Sequence, residues 1–160
     1  MEFENVNIEC DSITATHGEE VRVELCEYIK RLCKNLDIFD YEGLLDIEFE
    51  DTLTSGASGY CGGDETICTV SIAWNDQVGI IEIAEIKRHL AHECIHAQQI
   101  MSGKLINEGL RLCIDENDNK AISYVVIWKG EEFINTPYYE RPWERQAYGN
   151  EVRMMEESSC

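Results

Sequence analysis

His92-Glu93-Cys94-Ile95-His96 sets two imidazoles four residues apart, with a carboxylate directly after the first. On an α-helix, positions i and i+4 lie only about 40° apart around the axis and about 6 Å along it. Both rings can then reach one metal ion, and Glu93 stands beside them, where it can take a proton from a water at that ion. This is the chemistry of metal-assisted hydrolysis, with His92 and His96 as ligands, Glu93 as general base and zinc as the expected ion. Catalytic zinc takes three protein ligands and leaves a fourth position for water, so the motif lacks one ligand. No histidine follows His96, and Gln99 and Ser102 stand where a metzincin continuation would put a glycine and a histidine. The third ligand is therefore expected to be a downstream Asp, Glu or Cys. Glu144, opening a helical pattern, ranks first. Glu108 follows, in an Asn-Glu-Gly-Leu segment able to form a short helix, and then Glu116 in the polar, turn-like 115–120 stretch. Cys94, two residues after His92, points about 200° away from it and reads as a core residue. His89, one turn before His92, reads first as a solvated or supporting histidine. An oxyanion donor is needed as well, and Tyr138, Tyr139, Tyr148, Arg145 and His89 are the candidates.

The motif requires a helix to carry it. From Ile80 to Ser102 apolar residues recur at helical spacing, and Gly103 suits the left-handed position just past a helix end. Pro142 suits the first turn of a last helix over about 142–157. Val21, Leu25, Tyr28, Ile29, Leu32 and Leu36 form a stripe that predicts a scaffold helix over about 18–36, with Thr16 and Glu19 at capping-box spacing. Leu45, Ile47 and Phe49 alternate with acidic residues, the pattern of a strand with one wet face. The Gly- and Ser-rich 55–65 segment reads as a loop, 66–74 as a second strand and 121–130 as a strand or hairpin arm. Trp74, Trp128 and Trp143 read as core or cleft-wall aromatics. Together these predict an α+β fold as a single domain over 1–160. In it a small twisted, mainly antiparallel sheet packs on the HExxH helix, and the 66–74 strand forms the edge of the cleft.

Composition narrows the partners. A chain of 160 residues that is 44% apolar fits one compact domain and argues against disorder. Against 13 Lys and Arg stand 32 Asp and Glu, a net charge of −19. Nucleic acid and anionic membranes need cationic patches, so neither is expected as a partner. The imbalance is concentrated: between Lys34 and Lys87 there is no Lys, Arg or His, while twelve acidic residues occur. Its simplest reading is a solvated surface. If the 66–74 strand lines the cleft, Asp64, Glu65 and Asp76 flank it and basic substrates are favoured. The N-terminal MEFENVNIECD lacks the features of a secretory signal, and no apolar run approaches the roughly 20 residues that span a bilayer. A cytoplasmic location is expected, the host's if the source is viral. There the eight cysteines, none in a CxxC pair, stay as reduced thiols.

HExxHxxQ over His92 to Gln99, GlyLysLeu at 103–105, TrpLysGly at 128–130 and TyrTyrGluArgProTrpGluArgGlnAla at 138–147 together resemble a family. It is the small zinc metallopeptidases of phage and bacterial genomes, related to the gluzincin and SprT-like groups, and the resemblance covers roughly 85–150. It implies zinc held by His92, His96 and Glu144, with Glu93 as general base. It also implies a zincin-like fold, with a short sheet beside the active-site helix and one edge strand open to a substrate peptide. The expected function is a zinc-dependent peptidase acting on a peptide or protein. The alternatives are a noncatalytic zinc-binding interaction module and a peptidoglycan-peptide hydrolase.

Overall fold

The computed structural model describes residues 5–75 and 81–159. Ile80, Asp76 and Cys160 therefore lie outside the described residues. The chain begins with β1 (Val6–Glu9), α1 (Asp11–His17) and α2 (Glu19–Asn35). Then come β2 (Leu44–Glu50), β3 (Gly59–Gly63), β4 (Ile67–Ala73) and α3 (Ile83–Met101). A meander of β5 (Leu105–Ile114), β6 (Lys120–Trp128) and β7 (Glu131–Ile134) leads to α4 (Pro142–Ser158). The architecture is α+β with two small sheets, ordered β1-β2-β4-β3 and β5-β6-β7. No helix among the described residues is long and apolar enough to cross a membrane. The seven described cysteines are unbridged.

The sheet that carries α3 is mixed rather than mainly antiparallel. Strands β1 and β2 pair in parallel, as do β2 and β4, and only β3 runs antiparallel to its neighbour β4. A half-wet strand such as β2, with Leu45, Ile47 and Phe49 buried, suggests an antiparallel sheet. Its parallel neighbour β1 instead arrives through a helical crossover, α1 and α2, that alternation within β2 does not encode. The second sheet is antiparallel throughout.

Three further expectations are corrected. The 66–74 strand is not an edge: β4 lies between β2 and β3, buried over most of its length. The edge is β3, folded from within the segment read as a loop, because its glycines suppress any strand pattern. Glu108 lies on β5 and not on a short helix, at a point where the register shifts between Asn107 and Gly109. Nor is Thr16 the N-cap of α2. Thr16 belongs to α1, and Gly18 with φ 87° separates it from α2 and serves as the N-cap. The predicted scaffold helix is thus α2 preceded by a short, separate turn of helix.

Helices α2, α3 and α4 pack on one another, with α3 laid against β3 and β4. One buried cluster runs from Cys10 to Met154 and includes Ile29 and Leu32 of α2, Val70 and Ile72 of β4, and Leu90 and Cys94 of α3. Cys94 is fully buried, as its angular position implied. The second sheet joins through Leu105, Val126 and Trp128. Trp143, in the first turn of α4, packs against Trp128 and Phe133 at ring separations of 6.3 and 5.5 Å. That wedge fixes the start of α4 beside α3.

Candidate metal centre

Helix α3 places His92 and His96 one turn apart, each only 7% exposed, facing the start of α4. The His96 Nε2 atom lies 3.2 Å from His92 Nε2 and 3.0 Å from Glu144 Oε2, and His92 Nε2 lies 3.3 Å from the same oxygen. Donors placed tetrahedrally around zinc at about 2.0–2.1 Å stand about 3.3–3.4 Å apart. The three donor atoms therefore nearly match one face of such a tetrahedron, and His92, His96 and Glu144 form a group able to hold a metal ion. Glu108 and Glu116 do not join it. Glu108 is exposed beside Arg111, and Glu116 is exposed in the turn between β5 and β6.

Glu151, which the sequence reading passed over, and Gln99, to which it gave no role, orient the imidazoles. His92 Nδ1 donates to Glu151 Oε2 at 2.7 Å, and Arg88 holds the other Glu151 oxygen at 2.9 Å. His96 Nδ1 donates to Gln99 Oε1 at 2.8 Å, while the Gln99 amide nitrogen donates to Trp143 O at 3.0 Å and Gln146 Oε1 at 2.8 Å. With Nδ1 of each ring donating to Glu151 or Gln99, Nε2 is the atom turned to Glu144: it donates there while the ring is protonated, and its lone pair is what a metal would take in place of that proton. A signal for Glu151 was present: seven residues after Glu144, it repeats the same helical face.

The charges follow from this arrangement. Burial works to raise the Glu144 carboxyl, but the His92 and His96 hydrogen bonds outweigh it and hold the group below the usual carboxylate range. Burial pushes Glu93 up, against the opposing pull of His96 and His92. Burial also raises the Tyr138 phenol, helped by Tyr148, so Tyr138 stays a proton donor. Its hydroxyl donates to Glu144 Oε2 at 3.1 Å and lies 2.9 Å from the Tyr148 hydroxyl, and the Tyr148 ring sits 4.5 Å from that of His92. Of the oxyanion candidates, Tyr138 thus borders the donor group directly, with Tyr148 and His89 nearby in an adjoining cavity. Tyr139 is 75% exposed and Arg145 donates to its carbonyl, so neither lines the cleft.

The centre opens into a cleft of about 330 Å³ between β3 and the second sheet, lined by Gly59, Glu93, Leu105, Val126 and Trp143 among others. Ser58 O accepts from Ala73 N, and Asp64 N donates to Ile67 O. These bonds bracket the β3–β4 ladder. By antiparallel alternation, the backbone N–H and C=O groups of Gly59 and Cys61 point away from β4, toward the open edge. A larger residue at Gly59 would displace the Glu93 side chain. A Cβ there would stand 2.8 Å from Glu93 Cγ and 2.9 Å from its Oε1.

No protein-family model, curated protein or solved structure matches this chain, so the donor group itself carries the functional reading.

Proposed function

We propose that the protein is a zincin-like, zinc-dependent peptidase. The observation that carries this reading is the convergence of His92 Nε2, His96 Nε2 and Glu144 Oε2 at 3.0–3.3 Å, with the unligated Glu93 carboxylate on the cleft wall beside them. Two imidazole nitrogens and one carboxylate oxygen suit zinc with a fourth position open. Bound there, zinc supplies a Lewis acid that polarises a peptide carbonyl and makes water acidic enough to lose a proton near neutral pH. Glu93 accepts that proton and returns it to the leaving amine, and its partial burial keeps it a stronger base than a solvated carboxylate. Tyr138 faces the same space with a proton to donate and stabilises the oxyanion. The open edge of β3 takes the substrate as an added strand, holding its backbone extended across the cleft with the scissile carbonyl beside Glu93. A net charge of −19 disfavours nucleic acid as a substrate.

The test compares wild type with Glu93→Gln on an unfolded protein substrate, with bound zinc measured in both. Peptidase action requires cleavage by wild type and its loss in the variant with zinc retained. Zinc binding without cleavage of proteins or of cell-wall peptides would leave the noncatalytic module as the answer. Cleavage confined to cell-wall peptides would identify the peptidoglycan hydrolase.

A further inference from the structure

We propose that Arg141 is a carboxylate-binding residue of the substrate cleft, receiving either the C-terminal carboxylate of a peptide or an acidic side chain near the scissile bond. This rests on the peptidase reading and adds to it a substrate class. Among the described residues, Arg141 is the one Lys or Arg that lines the 330 Å³ cleft. Its guanidinium is held in place, Nε donating to Thr136 O at 3.0 Å and the group lying 5.5 Å over the Tyr138 ring. Both Nη nitrogens are then left without a protein acceptor among the described residues. Arg31 and Arg145 likewise donate only from Nε to a backbone carbonyl, but neither of them lines the cleft. Arg22, Arg88, Arg111 and Arg153 each pair with a glutamate. Glu144, three residues along, is no substitute partner, because its carboxylate is turned to the two imidazoles.

The surroundings suit a peptide's carboxylate. Arg141 stands where the main cleft meets a neighbouring cavity of about 230 Å³, and the two share Tyr124, Val126 and Trp143. An apolar side chain can lie on that wall while a carboxylate beside it meets the planar fork of Nη donors, the geometry in which arginine binds carboxylates two bonds at a time. Arg141 is also the N-cap of α4, so the positive end of the helix dipole adds to its field. Because the cavity continues past Arg141, a terminal carboxylate and an internal acidic side chain can both reach it.

Two pairs of otherwise identical apolar peptides separate these sources: free carboxylate against C-terminal amide, and internal Glu against Gln. Affinities are measured by calorimetry on zinc-loaded Glu93→Gln protein, and kcat/KM on the active protein. The acidic member of at least one pair is expected to bind roughly 10- to 100-fold more tightly. Arg141→Gln, made in the same background, should collapse that ratio toward one. Arg141→Lys should keep part of it, and Arg145→Gln, outside the cleft, should keep all of it. The pair that shows the gap identifies the source. Equal binding within both pairs, absence of binding by any of the peptides, or a gap that survives Arg141→Gln overturns the proposal. Because binding is read on a catalytically silenced protein, a failure of the peptidase reading appears separately, as peptides that bind with the expected preference but are never cleaved.

Discussion

Glu151 and Gln99 decide which nitrogen of each imidazole carries a proton, and so whether His92 and His96 present lone pairs to a metal at all. Replacing Glu151 with Ala removes the acceptor at His92 Nδ1 and one of the two carboxylate partners of Arg88, which keeps Glu85. Zinc affinity is expected to fall about 10- to 100-fold, read by competition with a chromogenic chelator. Unchanged affinity would mean that the ring is fixed by its contact with Tyr148 instead. Gly59 provides a complementary test of the base. In Gly59→Ala the new Cβ collides with the Glu93 side chain, so Glu93 must move while the three donors stay in place. A drop in kcat of about 100-fold with zinc binding retained is expected, since a displacement near 1 Å at the reacting centre has that scale. Loss of zinc in this variant would show that the disturbance spreads along α3 and would remove the argument. At this scale the sequence showed what was local. HExxH is a five-residue statement and its geometry follows from helix pitch, whereas Glu151 and Gly59 matter only through contacts made by folding.

Helices were read more fully than strands, for a physical reason. The periods in α2, α3 and α4 are long and continuous, and Gly103 and Pro142 mark ends that the structure keeps, with Gly103 at φ 77°. By contrast β3 is mostly glycine, and β5 turns Leu110, Leu112 and Ile114 outward, so neither shows the apolar-in pattern of a half-buried strand. Strand order stayed out of reach too, because a parallel pairing depends on the path of the crossover and not on residues within the strand. The consequence for the site is that α4 is placed by its aromatic wedge rather than by its own propensity. Trp143 packs against Trp128 and Phe133, and its carbonyl accepts from Gln99, which in turn holds His96. Trp143→Ala should therefore cost about 3–5 kcal/mol in urea unfolding. It should also weaken zinc binding more than a core truncation far from α4 does, such as Ile13→Ala. Equal zinc affinities in the two variants would show that α4 keeps its position without the wedge.

Across the whole molecule, charge acts at two ranges with opposite signs. The net charge of −19 produces a negative field that extends about 30 Å at 0.01 M salt but only about 3 Å at 1 M. Such a field concentrates cationic peptides near the surface regardless of which strand lines the cleft. With the cleft edge moved from β4 to β3, and Asp64 and Glu65 absent from the cleft lining, the expectation of basic substrates rests on this long-range field alone. At contact range the cleft presents Arg141, which favours a carboxylate. A peptide carrying lysines far from the scissile bond and a carboxylate close to it satisfies both. Salt distinguishes the two contributions because screening removes the long-range field first. For otherwise equal peptides, the advantage in kcat/KM of a distal Lys-Lys extension should shrink by roughly tenfold between 0.01 and 1 M salt. The free-carboxylate advantage, made by direct hydrogen bonds in a half-buried cleft, should shrink much less. If the lysine extension confers the same advantage at both salt concentrations, the acidic surface serves solubility alone and plays no part in choosing substrates.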